Sequence, residues 1–93
     1  MPAWRVVLAP AAQRQIDRLS GVDLMALRGV ILALAEDPRP PGAAKLAGAT
    51  DLWRVRVRID GQPWRIVYQL RTREHLMVIT RLARRDEGTY RRL

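Results

Sequence analysis

The stretch DLWRVRVRIDGQPWRIVYQL, residues 51–70, most constrains the fold, because apolar and polar residues alternate along it on both sides of Asp60-Gly61. Alternation of this kind is typical of β-strands, whose successive side chains point to opposite faces. An Asp-Gly pair between two alternating segments favours a tight hairpin turn. The sequence therefore predicts an antiparallel hairpin with strands over residues 52–59 and 64–71.

One face of this predicted hairpin is apolar and the other is basic. The apolar face carries Trp53, Val55, Val57, Ile59, Trp64, Ile66, Tyr68 and Leu70. The opposite face carries Arg54, Arg56, Arg58 and Arg65. We expect the apolar face to pack against helices, which leaves the arginines on an open face of the sheet.

Two helices precede the hairpin. Pro10 suits the first turn of a helix, because that position needs no amide hydrogen, and Gly21 ends the segment that Pro10 begins. Ser20 and Asp23 resemble a capping box at the start of the second helix, and the sequence EDPRPPG stops it. The second helix has an apolar stripe at helical spacing, made of Leu24, Leu27, Ile31 and Leu34 with Val30 beside it.

Strands over residues 3–9 and 75–83 complete a predicted order of β-α-α-β-β-β, with a short element at the C-terminus. Residues 38–50 are predicted to form a loop. The last strand is ambiguous, because alternation groups Leu76, Val78 and Leu82 against Met77, Ile79 and Arg81. The patterning predicts an α+β fold, a helical hairpin packed on one face of a mostly antiparallel sheet, in a single domain of residues 1–93.

The composition limits the classes of protein to which the chain can belong. Hydrophobic residues make up 48% of 93 residues, too many for a disordered chain. The absence of cysteine excludes a disulfide framework and a thiolate nucleophile, and with no expected signal peptide or membrane span it favours the cytoplasm. Lys and Arg number 17 against 9 Asp and Glu, and the net charge of +8 indicates a polyanion or an acidic protein as partner.

The four arginines of the predicted open face have two interpretations. Guanidinium groups bind phosphates in a bidentate manner, so the face suits a nucleic-acid backbone, with affinity that depends strongly on salt. The alternative is a solvated basic face without a ligand, because most runs of charge are simply surface. No Asp or Glu lies among the arginines between residues 52 and 59, which favours the polyanion.

The chain resembles the RelE/ParE superfamily of bacterial toxins, and within it the RelE branch of mRNA interferases. Four segments carry the resemblance, and in chain order they are APAAQRQIDRL, DPRPPGAAKLAG, LWRVRVRIDGQPWRIVYQL and RLARRDEGTYRRL. Together they extend over nearly the whole chain. Their order and spacing are more specific than any single motif.

The resemblance implies a toxin that enters the ribosomal A site and cuts mRNA by attack of a 2′-hydroxyl on the adjacent phosphate, without a metal or other cofactor. It places a basic pair on Arg54 and Arg56, and catalytic groups on Arg65, Arg84 and Tyr90. Fixed guanidinium groups at Arg65 and Arg84 would stabilise the charge of a pentacovalent phosphorane. Tyr90 would stack on a base or assist proton transfer.

Three further cations complete the predicted RNA-binding set, namely Arg58, Arg85 and Lys45. The resemblance also implies partners. The chain would act on the ribosome and its mRNA, and an acidic, partly disordered antitoxin would bind it in a toxin–antitoxin hetero-oligomer. No membrane contact is expected.

Two departures from the RelE pattern bear on catalysis. Several relatives have lysine where this chain has Arg54 and Arg56, and an arginine, with a pKa above ~12, cannot act as a general base as a lysine can. Some relatives have a histidine in the C-terminal motif, where this chain has Ala83, and its one histidine, His75, is expected at the surface of a turn. Two alternatives therefore stay open: a ParE-like inhibitor that binds DNA gyrase, and a nucleic-acid-binding module that does not cut.

Overall fold

The computed structural model describes residues 3–48 and 50–84. The elements are β1 (Arg5–Leu8), α1 (Pro10–Asp17), α2 (Gly21–Glu36), β2 (Ala44–Lys45), β3 (Leu52–Ile59), β4 (Gln62–Arg71) and β5 (Leu76–Arg84). The predicted α+β fold and the order β-α-α-β-β-β are confirmed, with one addition, and the predicted short C-terminal element lies outside the described residues. The segment 38–50, predicted as a loop, contains the two-residue strand β2, which is too short to leave an alternating pattern in the sequence.

The strands form one five-stranded sheet in the order β1-β5-β4-β3-β2. β1 pairs with β5 in parallel, and the other neighbours pair antiparallel, so the prediction of a mostly antiparallel sheet is confirmed. Asp60 and Gly61 close the hairpin between β3 and β4. Their φ angles of 53° and 77° lie in the left-handed region that a two-residue hairpin turn requires.

The two helices cover one face of this sheet and bury its apolar side chains. The core consists of Ala12, Leu27, Leu34, Val55, Ile59, Trp64, Ile66, Tyr68, Leu70, Met77, Ile79 and Leu82. Trp53 and Val57 pack against it and are partly buried. The faces predicted for β3 and β4 are therefore confirmed, because alternation gives each strand one apolar side.

The start of α2 differs from the prediction. Ser20 occupies the N-cap position, but its side chain makes no capping hydrogen bond, so the predicted capping box is wrong. Gly21, directly after it, has a φ of 57°, and the chain therefore does not enter the helix in the geometry of a capping box. Pro10 stands in the first turn of α1 as predicted, behind an uncapped Ala9.

α2 also has large apolar side chains on its exposed surface. Val22, Met25 and Leu32 are 68%, 75% and 56% exposed. Leu24, predicted in the buried stripe, is 39% exposed and lines a groove between α1 and α2 together with Ile16. No helix in residues 3–48 and 50–84 is long and apolar enough to cross a membrane.

Two side-chain contacts hold segments that lie next to the strands. The hydroxyl of the buried Tyr68 donates a hydrogen bond of 2.6 Å to the Pro38 carbonyl, which ties the chain after α2 to the centre of the sheet. Burial raises the pKa of the Tyr68 phenol to about 12, and Asp37 adds to the rise while Arg39 opposes it. His75, expected at the surface, is half-buried with its ring stacked on Trp4 at 4.4 Å.

Candidate nucleic-acid interface

The pairing of β3 with β4 brings three of the predicted arginines together. Arg56 lies directly opposite Arg65, and Arg54 lies opposite Val67. Such cross-strand partners share a face of the sheet, with Cβ atoms about 4.5–5.5 Å apart. Arg56 and Arg65 are exposed and Arg54 is half-buried. Alternation along β3 and β4 therefore places these arginines on the face away from the helices.

Arg58 continues this face to the end of the hairpin, opposite Pro63. Its Nη1 donates a hydrogen bond of 2.9 Å to the carbonyl of Gly61. A guanidinium has five N–H donors, so this bond leaves others for a ligand. Arg58 thus supports the turn and adds positive charge to the same surface.

An irregularity in β5 adds a cation that the sequence did not assign to this face. β4 pairs with β5 so that Tyr68 lies opposite Ile79 and Val67 opposite Arg81, which leaves Thr80 as the extra residue of a β-bulge. The Thr80 hydroxyl donates a hydrogen bond of 3.1 Å to the Val67 carbonyl. Beyond the bulge the alternation is reversed, and Arg81 is exposed on the open face.

Strict alternation hides this position of Arg81 in the sequence. It groups Arg81 with Met77 and Ile79, both of which are buried. One feature of the sequence indicates a bulge: Ile79 and Leu82 are both apolar but three residues apart, so a regular strand cannot bury both on one face. A bulge at Thr80 resolves the conflict, because Ile79 and Leu82 are then 0% and 3% exposed.

Arg84, a predicted catalytic residue, is not on the same face of the sheet as Arg65. The pairing sets Arg84 opposite Trp64, whose side chain is buried, and sets Ala83 opposite Arg65. Arg84 is half-buried at the last position of β5. Any joint action of Arg84 and Arg65 therefore has to take place around the end of the strand.

Lys45, predicted to bind RNA, also lies apart from the arginines. It pairs with Trp53, so it belongs to the helix side of the sheet at the β2 edge. The Arg39 guanidinium lies 5.4 Å from the centre of the same Trp53 ring, in a cation–π arrangement. Arg85 and Tyr90, the remaining predicted site residues, lie outside the described residues.

Five arginines lie on the open face of the sheet, which we call the arginine face: Arg54, Arg56, Arg58, Arg65 and Arg81. None of the five strands in the described part of the chain contains an Asp or Glu. Arg56 and Arg65 lie directly opposite one another. Like charges in such a position repel and tend to destabilise a sheet. A surface that retains such a cluster attracts phosphate groups, which guanidinium groups bind in bidentate geometry.

The architecture is that of the RelE-like toxin fold, as comparison with solved structures shows. The match to the isolated E. coli RelE toxin covers 98% of this chain and 100% of the RelE chain, with a TM-score of 0.72 and 18% sequence identity. The match to the toxin–antitoxin complex RelBE2 from Mycobacterium tuberculosis covers 90% of this chain and 100% of the matched chain, with a TM-score of 0.73 and 20% sequence identity.

A third match is the archaeal RelE–RelB complex from Pyrococcus horikoshii OT3. This match covers 94% of this chain and 100% of the matched chain, with a TM-score of 0.70 and 20% sequence identity. No family model and no curated protein sequence matches the chain. The similarity is therefore one of fold, retained at low sequence identity.

Proposed function

We propose that the chain is the toxin of a toxin–antitoxin pair and acts as a ribosome-dependent endoribonuclease on translated mRNA. The observation that carries this proposal is the arginine face. Arg54, Arg56 and Arg65 converge on a sheet without carboxylates, within a RelE-like fold. Such a surface suits a strand of RNA, because guanidinium groups bind the phosphates of its backbone.

The proposed reaction needs no group beyond the RNA and the protein's side chains. The 2′-oxygen of one nucleotide attacks the adjacent phosphorus, and the bond from phosphorus to the 5′-oxygen breaks. The products are a 2′,3′-cyclic phosphate and a 5′-hydroxyl, with the proton passing from the attacking to the leaving oxygen. DNA lacks the attacking hydroxyl and should be inert.

The arginines act in this reaction by fixed charge. Arg65 stabilises the phosphorane, while Arg54 and Arg56 hold the backbone on either side of the reacting phosphate. An arginine does not give up its proton in a protein, so proton transfer requires another group, and we assign it to Tyr90. Arg84 would reach the same phosphate around the end of β5 as a second catalytic arginine.

We also propose an acidic antitoxin as the partner that holds the toxin inactive. The net charge of +8 favours an acidic chain. The exposed apolar residues of α2, Val22, Met25 and Leu32, offer area that an amphipathic segment would bury. Several of the matching structures are complexes of a toxin with an antitoxin, among them RelBE2 from Mycobacterium tuberculosis.

The test is a reconstituted translation reaction with primer extension across a reporter mRNA. We expect cleavage only on translated mRNA, reduced about 100-fold or more in Arg65→Ala, the scale for loss of one donor that stabilises a transition-state charge. Arg73→Ala is the matched control, since Arg73 is an exposed arginine in the turn between β4 and β5. Arg84→Ala and Tyr90→Phe examine the two remaining catalytic assignments.

Intact mRNA with normal translation in the presence of the chain would contradict the nuclease. DNA gyrase supercoiling is then the next assay, because inhibition there would establish the ParE-like alternative. Loss of cleavage in Arg73→Ala equal to that in Arg65→Ala would show that net charge, and not the arginine face, is responsible.

A further inference from the structure

The β-bulge at Thr80 changes which residue of β5 joins the arginine face. Without it, Thr80 would lie opposite Val67 and Arg81 would belong to the buried side with Ile79. With it, Arg81 takes the place opposite Val67. The Thr80 hydroxyl bonds the Val67 carbonyl at 3.1 Å, so the extra residue is held by its own side chain.

Arg54 and Arg81 consequently flank Val67 from its two neighbouring strands. Adjacent strands lie about 4.8 Å apart, so the backbones at Arg54 and Arg81 are separated by roughly 10 Å. Val67 is half-buried between them and gives the surface an apolar floor. Arg65 lies two residues before Val67 on the same face and closes a third side.

We infer that Arg81 is a further RNA-binding residue, which with Arg54 holds the backbone of single-stranded RNA across Val67, and that Thr80 positions it by holding the bulge. The inference rests on the proposed function and deepens it. Phosphates meet the two guanidinium groups, and the ribose or base between them packs on Val67. This arrangement suits a single strand, whose sugar and base edges are open to a flat apolar surface.

The bulge also buries Leu82, so the exposure of Arg81 has a packing explanation as well. Two features distinguish a binding role. Arg81 lies on a face that has four other arginines, and no strand in the described part of the chain supplies a carboxylate to neutralise it. The burial of Leu82 requires the bulge but does not require an arginine at position 81, where its charge adds to a cluster of like charges.

The experiment measures binding of the purified full chain to a short fluorescein-labelled single-stranded RNA by anisotropy, over a range of salt concentrations. We expect Arg81→Gln to weaken binding about tenfold, the scale of one lost charge-assisted hydrogen bond. The slope of log affinity against log salt should fall by about 0.7, the value for one phosphate contact on a single strand. Arg73→Gln, with the same change of charge, should alter neither quantity to this extent.

Thr80→Val removes the hydroxyl while it keeps the β-branched shape. We expect it to weaken RNA binding in the wild-type background and to have no further effect in Arg81→Gln, because Thr80 acts through Arg81. Independent losses that add in the double variant would overturn the positioning role. The same variants are titrated in the translation reaction, where the concentration for half-maximal cleavage should rise about tenfold for Arg81→Gln.

The outcomes separate this inference from the proposed function. If Arg65→Gln weakens RNA binding and cleavage while Arg81→Gln behaves like Arg73→Gln, the role of Arg81 is overturned and the nuclease stands. If the intact chain neither binds RNA nor cleaves translated mRNA, both are overturned. Circular dichroism of each variant shows that the fold is retained.

Discussion

Arg65 and Ile66 are neighbours in β4, yet their side chains lie in opposite environments. Ile66 is 0% exposed beneath the helices, whereas Arg65 is exposed on the arginine face opposite a second arginine. One sheet thus presents two surfaces, of which one is apolar and buried in the core and the other carries positive charge. Substitutions on the two faces should therefore separate stability from the proposed activity.

The largest expected effect is on the buried face. Ile66→Ala should lower the free energy of unfolding by about 2–5 kcal/mol, because it removes buried methyl groups and leaves a cavity. Urea unfolding followed by circular dichroism measures the change. Arg65→Ala is the paired variant and should stay within about 0.5 kcal/mol of the wild type, since it is on the surface. Equal losses in the two variants would contradict the division between the faces.

The stability should also fall at high pH, because of a group on the buried face. The Tyr68 phenol ionises near its ordinary pKa of 10.0 in the unfolded chain, but at about 12 in the folded one. Its contribution is complete below pH 10 and is lost as the pH rises towards 12, at about 1.4 kcal/mol per pH unit. Unfolding measured between these pH values should show this decline in the wild type and not in Tyr68→Phe.

At neutral pH Tyr68→Phe should lower the free energy of unfolding by about 1–3 kcal/mol, because the buried Pro38 carbonyl loses its donor. Thermal and urea unfolding at pH 7 measure this difference. The RNA cleavage of the folded variant should be unchanged, as Tyr68 is on the face away from the arginines. A large loss of cleavage with unchanged stability would show that the two faces are coupled.

The smallest expected effect has the opposite sign. Arg65→Gln should raise the free energy of unfolding by about 0.2–1 kcal/mol, because it relieves the repulsion from Arg56 directly opposite. Arg73→Gln, outside the strands, should produce no gain. A variant that is more stable and yet unable to cleave mRNA would show that the arginine face is retained for function. Destabilisation of Arg65→Gln would indicate that Arg65 has a structural role.

The hairpin from residue 52 to residue 71 was predictable because its pattern is local. Alternation in β3 and β4 assigns each side chain to a face, and Asp60-Gly61 supplies the two left-handed residues that the turn requires. The apolar stripe of α2 gave Leu27 and Leu34 correctly. β2 was missed, because two residues have no period.

The bulge at Thr80 was decided by tertiary structure, and with it the membership of the arginine face. β5 must bury Met77, Ile79 and Leu82 against one set of helices, and only an extra residue in the strand satisfies all three. The sequence by itself determined the fold class, the excess of arginine and the basic side of β3 and β4, since these follow from local alternation and composition. Which cations of β5 face that side depended on the pairing with β4, because the register of a strand is set by its neighbour and the shared core.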